Sequence, residues 1–283
     1  MHDLEELLRS AERALDEAPD TRIINGWPAA STMKGRSWRA AAFELGGKKW
    51  GCVRGEQRPS SAQVIDAAAA YRASICAEHA VVILESDGRH DRAPGEFRQR
   101  YQAAAWHGLG IAVVEQVGGA AWVWGAGAPP GEENLLAFRA LADACTTNLF
   151  TAARCDGAHW HQLAAAGNSR TAEQSVRQVI DEALLRLDFT RRPADCKFGA
   201  LWRTAVADGV WRRDQPWPCS IALEVKILED EAAPLAQVMD DLGRFDGVLH
   251  VRLGERAATH GNGMAEAMAR LEERMPVRYI HVP

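Results

Sequence analysis

Hydrophobic and polar residues follow two different periods along the first half of the chain, and these periods predict strands and helices in turn. Residues 37–56 read as two strands joined at Gly46 and Gly47, a pair that tolerates the positive φ values of a tight hairpin turn. A helix, a buried strand, a helix and two further strands are then predicted, at 61–79, 80–86, 96–108, 111–117 and 120–126. This order indicates a mixed α/β domain.

The second half begins with an amphipathic helix over residues 171–187, in which apolar residues recur at helical spacing. Thr171 and Gln174 have the spacing of a capping box, which makes Thr171 the expected N-cap. Two strands, a helix and another strand follow, within 206–227, at 234–245 and at 247–253. This order indicates a second compact α/β core, and no repeat with a period of 20 to 50 residues is visible.

Two stretches interrupt these periods and indicate the domain organisation. Pro129 and Pro130 lie in a glycine-rich segment, and proline continues neither a helix nor a central strand. Residues 164–170 form the second interruption, just before the amphipathic helix. Because single cores stop growing at roughly 250 to 300 residues, a chain of 283 residues is expected to form two mixed α/β domains, residues 1–165 and 166–283.

Composition restricts the classes of partner and the location. The formal net charge of −5 excludes binding of nucleic acid through bulk positive charge, so any such site must be local. Residues 186–213 carry a local excess of positive charge. The six cysteines lack CxxC spacing, and no apolar run approaches the roughly 20 residues needed to cross a bilayer. We therefore expect a cytoplasmic protein with reduced thiols and no membrane contact.

The predicted strand at 220–228 directs two opposite charges to one side of a sheet. Period-two alternation places four apolar residues on one face: Ile221, Leu223, Val225 and Ile227. Glu224 and Lys226 therefore share the other face, roughly 6 to 7 Å apart along the strand. Lysine is scarce here, with five lysines against 28 arginines, and an ammonium group responds to burial where a guanidinium stays charged. Both residues are candidates for catalysis.

Asp208 lies sixteen residues before Glu224 and supplies a second carboxylate from a neighbouring strand. Two carboxylates form a hard-oxygen site that suits Mg²⁺ or Mn²⁺, because Mg²⁺ takes only one or two protein carboxylates and keeps several waters. A nearby ammonium can assist an attacking water. These are the parts that phosphodiester hydrolysis requires.

The arrangement Asp208-Gly209 followed by Glu224-Val225-Lys226 resembles the PD-(D/E)xK nuclease superfamily, which has the restriction-endonuclease-like fold. The resemblance covers about residues 170 to 255 and implies a central mixed sheet flanked by helices. It also implies that Asp208 and Glu224 bind the divalent metal and that Lys226 assists the attacking water. Ala207 replaces the proline that usually precedes the aspartate, which lowers the specificity of the match.

Other positions take roles from the same resemblance. Glu173, on the helix before the aspartate strand, is expected as an auxiliary acid, because its spacing to Val176 and Ile180 lets it face the sheet. Gln237, on the helix after the lysine strand, resembles a glutamine of some family branches, but its helical angle lies off the apolar stripe. Three arginines are candidates for holding the phosphate backbone: Arg203, Arg212 and Arg213.

The expected activity is a metal-dependent endonuclease acting on DNA, in defence against foreign DNA or in repair, as the resemblance implies. The N-terminal domain would recognise the target, a ligand or a partner, and a protein partner or homodimer stays open. One alternative is a catalytically inactive protein of this fold that binds nucleic acid or scaffolds an assembly. Another is an ordinary Glu–Lys pair on a solvated sheet face. A third places the activity in the N-terminal half.

Overall fold

The computed structural model describes most of the chain, and these residues form a mixed α/β protein, as the sequence predicts. The described ranges are 4–18, 22–23, 38–55, 64–86, 95–117, 120–123, 127–200, 204–214, 219–227, 234–254 and 262–282. Within these ranges the strands form a six-stranded sheet, a five-stranded sheet and a two-stranded ribbon.

The first sheet has its strands in sequence order from one edge to the other. They are β1 (Arg22–Ile23), β2 (Trp38–Leu45), β3 (Lys48–Gly55), β4 (His79–Ser86), β5 (Ile111–Val117) and β6 (Ala120–Val123). Neighbours from β1 to β3 are antiparallel, those from β3 to β5 are parallel, and β6 is antiparallel to β5. The predicted hairpin is confirmed: Gly46 (φ 61°) and Gly47 (φ 73°) take the left-handed conformation between β2 and β3.

Helices cover both faces of this sheet. They are α1 (Leu4–Glu17), α2 (Val64–Ser74) and α3 (Gly95–Ala103), the last continued by a π-helical turn at Ala104–Leu109. Leu7, Ala11 and Leu15 recur every four residues on α1 and are buried against one face of the sheet. Residues of α2 and α3 are buried against the opposite face, which we call the inner face of the first sheet.

Two helices join the halves and pack on the second sheet. They are α4 (Glu132–Ala165) and α5 (Ser169–Leu185). The predicted capping box is wrong, because α5 begins at Ser169 and Asn168 occupies the N-cap position, with no hydrogen bond from a side chain. Thr171 lies inside the helix, where its carbonyl accepts a hydrogen bond from Ser175 Oγ.

The second sheet has the order β13-β12-β11-β10-β7. The elements after α5 are β7 (Thr190–Arg191), the ribbon strands β8 (Lys197–Gly199) and β9 (Thr204–Val206), β10 (Gly209–Arg213), β11 (Cys219–Ile227), α6 (Pro234–Arg244), β12 (Gly247–Leu253), α7 (Asn262–Arg274) and β13 (Val277–Val282). Neighbours from β7 to β11 in the sheet are antiparallel, and those from β11 to β13 are parallel.

The two sheets have the same strand order and the same strand directions. The first half runs α1-β1-β2-β3-α2-β4-α3-β5, and the second runs α5-β7-β10-β11-α6-β12-α7-β13. In both halves the two crossover helices pack on one face of the sheet, which we call its inner face. The first helix packs on the opposite, outer face. The halves differ by strand β6 and by the ribbon of β8 and β9. The described chain therefore contains the same core twice.

The inner faces and their helices join in one hydrophobic cluster between the sheets. Helix α3 packs against α6, and α2 packs against both α6 and α7. Gly243 allows α6 to approach α3 closely, because a Cβ atom there would lie 2.7 Å from the ring of Phe97. The carboxylate of Asp66 on α2 accepts hydrogen bonds from the amides of Leu235 and Ala236, both at 3.1 Å, and so caps α6 from the other half.

Among the helices that the structure describes, none combines the length and the apolar composition required to span a membrane. The six cysteines are all free thiols.

Candidate functional site

Strand β11 carries Glu224 and Lys226 into the layer between the two sheets. Its four apolar residues pack against α4 and α5, as the alternation predicts. The opposite face is also buried rather than solvated: the side chain of Glu224 is 5% exposed and that of Lys226 is 20% exposed. Lys226 Nζ donates a hydrogen bond to Glu224 Oε2 at 3.1 Å. The two charges therefore form a partly buried ion pair.

Asp208 lies directly before β10, one residue beyond the pair formed by Gly209 and Leu223. This position faces Glu224 across the antiparallel pairing. The carboxylate oxygen Oδ2 accepts a hydrogen bond from the amide of Val225 at 2.7 Å, and the carbonyl of Asp208 accepts one from Arg177 Nη1 at 2.8 Å. Asp208 is therefore held between the adjacent strand and helix α5.

Gly209 and Trp211 keep the backbone of this strand in place behind Asp208. A Cβ atom at position 209 would lie 2.4 Å from the indole of Trp211, so a side chain there would displace the ring. Trp211 is fully buried and its Nε1 donates to Asp181 Oδ1 on α5. The aspartate–glycine pair noted in the sequence thus has a packing reason as well as a chemical one.

Glu173 on α5 approaches the same place from the outer face of the sheet. Its side chain is half-buried. Burial and the charge of Asp208 raise the pKa of Glu173 above its ordinary value, while Arg177 and Lys226 oppose the rise. The predicted auxiliary acid therefore lies within electrostatic reach of Asp208.

Asp240 and Asp241 on α6 add two carboxylates that the sequence interpretation missed. Both are buried, with exposures of 3% and 2%. Burial, then the charge of Glu224, raises the pKa of Asp241 well above its ordinary value. Asp241 Oδ2 has no hydrogen-bond partner among the described residues. From sequence alone, an aspartate pair on an amphipathic helix would be assigned to the solvated side. The one indication that polar residues of this helix belong to the site was the neighbouring Gln237.

Burial raises the pKa of Glu224 to about 7, and the charge of Asp208 adds to the rise, although Lys226 lowers it. A carboxyl group that titrates near neutral pH carries negative charge that its surroundings do not fully compensate. Asp241, whose pKa is raised by burial and by the charge of Glu224, lies in the same uncompensated negative cluster. The cluster therefore favours either a bound proton or a bound cation.

Neighbouring strands continue the polar surface. Glu224 pairs with His250 of β12, and Lys226 pairs with Arg252. His250 is fully buried, and its ring stacks on Tyr279 of β13 with centroids 5.2 Å apart. Polar residues at every second position of β12 are visible in the sequence, but the parallel register that sets them beside Glu224 is not.

The predicted nucleic-acid contacts lie elsewhere on the sheet. Arg212 and Arg213 are at the far end of β10, roughly 14 to 17 Å along the strand from Asp208. They line a cavity of about 490 Å³ together with Asp188, Thr190, Arg192 and Asp214. Arg212 Nε is 3.1 Å from Asp195 Oδ2, which offsets part of its charge. Arg203 lies outside the described residues.

The carboxylates of this cluster can be compared with the ligands that a divalent cation requires. Within the described ranges, no group of three or more His, Cys, Asp or Glu side chains is arranged to hold a metal ion. Mg²⁺ needs only one or two protein carboxylates, and Asp208 and Glu224 each keep one carboxylate oxygen outside the hydrogen bonds described above. The unsatisfied Asp241 Oδ2 lies in the same charged cluster. The donor chemistry of Asp208 and Glu224 is that of a cation site formed by two carboxylates and water.

Comparison of the chain with protein-family models, with curated proteins and with solved structures gives no match.

Proposed function

We propose that the chain is a metal-dependent nuclease that hydrolyses phosphodiester bonds, with DNA as the expected substrate. The observation that carries the proposal is the meeting of Asp208, Glu224 and Lys226 at the ends of two neighbouring strands. Asp208 is tied to the amide of Val225 and Lys226 to Glu224, so the three groups are held by β11 itself. Two acids and an ammonium in this geometry suit phosphodiester hydrolysis.

Each residue has a role in this proposal. Mg²⁺ or Mn²⁺ would neutralise the charge of the phosphate oxygens. Asp208 and Glu224 would hold the cation, and Glu173 would support it from α5. Lys226 would orient the attacking water and stabilise negative charge that develops on phosphate. Asp241 would add negative charge near Glu224 that favours binding of the cation.

The path of the chain in the second half supports a restriction-endonuclease-like core. A helix, three antiparallel strands, a crossover helix and a parallel strand follow one another as α5, β7, β10, β11, α6 and β12. Asp208 lies directly before one strand and the Glu224–Lys226 pair lies on the next, which supports the resemblance over residues 169 to 253. The first half is left to be explained separately.

A second candidate is a non-catalytic protein of the same fold that scaffolds an assembly or binds nucleic acid. The observation in its favour is that the Glu224 side chain is only 5% exposed and already paired with Lys226. In that case a divalent cation would leave the stability of the protein unchanged.

The test incubates the full chain with plasmid, linear duplex and single-stranded DNA and with RNA, in Mg²⁺, Mn²⁺ or chelator. We expect metal-dependent cleavage that falls by at least about 100-fold in Lys226→Ala, because a positioned charge of this kind typically contributes that much or more. Lys48→Ala is the matched control, since Lys48 is an exposed lysine on the corresponding strand β3.

Thermal unfolding with and without Mn²⁺ accompanies the assay and shows that each variant is folded. A melting temperature that rises with Mn²⁺ in the wild type and less in Asp208→Asn supports the donor set. Cleavage that is equal in wild type and Lys226→Ala would assign the activity to a contaminant or another site. Absence of both cleavage and metal stabilisation would favour the non-catalytic candidate.

A further inference from the structure

The inner faces of the two sheets can be matched position by position. Gly51 of β3 pairs with Ala80 of the next parallel strand, as Ala222 of β11 pairs with Val248. Gly51 faces the crossover helices, since a Cβ atom there would lie 3.2 Å from Tyr71 of α2, and Ala222 is buried in the hydrophobic cluster between the sheets. From this shared starting point, each step of two residues moves to the next inward position.

Three rungs of inward residues result, each crossing three parallel strands. In the first half they are Gly51–Ala80–Ile111, Val53–Val82–Val113 and Gly55–Leu84–Glu115. In the second half they are Ala222–Val248–Val277, Glu224–His250–Tyr279 and Lys226–Arg252–His281. The first rung is apolar in both halves. The second and third rungs are polar in the second half, whereas in the first half Glu115 is their one ionisable residue.

Each proposed catalytic position on the strands has a first-half counterpart without chemistry. Val53 corresponds to Glu224 and Gly55 to Lys226. Ala40 pairs with Val53, so it occupies the place of Asp208 opposite Glu224. Alanine, valine and glycine can neither hold a cation nor activate water.

The packing of the halves places this inactive copy where a second subunit would sit. Helix α3 contacts α6, and α2 contacts α7. Helix α2 corresponds to α6, and α3 corresponds to α7. Replacing each helix by its counterpart in the other half therefore turns one contact into the other. Such reciprocity is characteristic of an isologous, twofold-related interface. The chain is thus built like a dimer in which one copy lacks the two acids and the lysine of the other.

We propose that each encounter of this chain with duplex DNA breaks one strand only, an inference that rests on the nuclease function proposed above. The strands of a duplex are antiparallel, so cutting both from one bound position requires two twofold-related sites. The first half holds the place of the second site and lacks its residues. In the single hydrolysis, the oxygen of one water bonds to phosphorus, one P–O bond to a sugar oxygen breaks, and that oxygen receives a proton.

The experiment follows a covalently closed supercoiled plasmid with the full chain in excess and Mn²⁺ present. We expect the supercoiled band to shift to the open-circular position, with linear DNA appearing only after most of the supercoiled form is consumed. The rate should rise in proportion to protein concentration. Lys226→Ala and Lys226→Gln, both checked for folding by thermal melting, should lose the shift, and Lys48→Ala should retain it.

The outcomes separate this inference from the nuclease proposal. Linear DNA that forms together with the loss of supercoiled DNA, or a rate that rises with the square of protein concentration, overturns single-strand breakage and leaves the nuclease proposal standing. Absence of any Lys226-dependent cleavage overturns both.

Discussion

The two halves of the chain follow the same path and fill their inner faces with different chemistry. The second rung reads valine three times in the first half and Glu224, His250 and Tyr279 in the second. Strand order and crossover connections are nonetheless the same. The comparison teaches that topology depends on periodicity and connection, whereas a few inward side chains decide whether a core can do chemistry.

The polar inward residues lower the stability of the second half. Full burial of a valine contributes roughly 1.5 kcal/mol or more, while a buried carboxylate is unfavourable unless it is paired and hydrogen-bonded. The pKa of about 7 at Glu224 reflects this cost, since burial is its largest cause. A core that gives up stability in one copy and keeps it in the other is typical of a functional site.

The largest expected effect comes from placing the second-half acid in the first half. Val53→Glu puts a carboxylate at a fully buried position of β3 whose next inward residue is Gly55, so no ammonium accompanies it. We expect a loss of roughly 3–5 kcal/mol in the free energy of unfolding at pH 8, the usual cost of an uncompensated buried charge. Guanidinium denaturation measures it.

Val53→Gln is the control, because it matches glutamate in size and carries no charge. The difference between the two variants should shrink toward pH 5. Equal stability of both at pH 8 would mean that the first half tolerates the charge, and the contrast between the halves would then be wrong.

The next effect concerns the pH dependence of stability. The folded pKa of Glu224 is about 7 against an ordinary value of 4.5, so its contribution to stability is fully present below about pH 4.5 and is lost as pH rises through 7. Glu224→Gln removes this loss. The unfolding free energy of the variant relative to wild type should therefore rise between pH 5 and pH 8, by on the order of 3 kcal/mol.

Urea denaturation across this pH range measures the slope of the unfolding free energy against pH. The slope is compared rather than the absolute value, because loss of the hydrogen bond from Lys226 shifts the absolute value. Glu182→Gln, at an exposed position of α5, should keep the slope of the wild type. The same dependence of unfolding free energy on pH in wild type and Glu224→Gln would show that ionisation of Glu224 does not destabilise the folded state.

A smaller effect is expected at the joint between the halves. Asp66→Ala removes the carboxylate that caps α6 from α2, which we expect to lower the unfolding free energy by roughly 1–2 kcal/mol. Asp156→Ala, at an exposed site on α4, is the comparison and should stay within about 0.5 kcal/mol of wild type. Indistinguishable denaturation midpoints for the two variants would show that Asp66 does not stabilise the contact between the halves.

The smallest effect is expected at the arginine cavity. Arg212→Ala should weaken DNA binding a few-fold and reduce the slope of log affinity against log salt by about one, as for the loss of one phosphate contact. Glu44 occupies the corresponding position on β2, and Glu44→Ala should leave the slope unchanged. Fluorescence anisotropy between 50 and 200 mM salt measures both. An unaltered slope in Arg212→Ala would place the DNA elsewhere.

Local patterns predicted many elements correctly because their causes are local. The glycine pair of the hairpin, the alternation in β11 and the apolar stripe of α5 each depend on residues within one element. The shared orientation of Glu224 and Lys226 followed from alternation alone. The start of α5 was misplaced, because Asn168 and Thr171 are both acceptable caps and the turn before the helix decides between them.

The buried partners of the site were out of reach for the same physical reason. Asp241 reads as a solvated residue until α6 is packed on the sheet, and His250 reaches Glu224 only through the register of two parallel strands. That register depends on how a crossover helix returns the chain, which no local period records. The duplication was hidden likewise, because its halves share a path and not a residue pattern.

By itself, the sequence determined many of the strands and helices and the side of β11 on which an acid and a lysine lie, since period and chirality follow from the backbone. Only the tertiary structure decided that this side is buried, that Asp241 lies near it, and that a second copy of the core faces it without such groups. Burial and proximity are properties of packed elements, and packing is set by the whole chain.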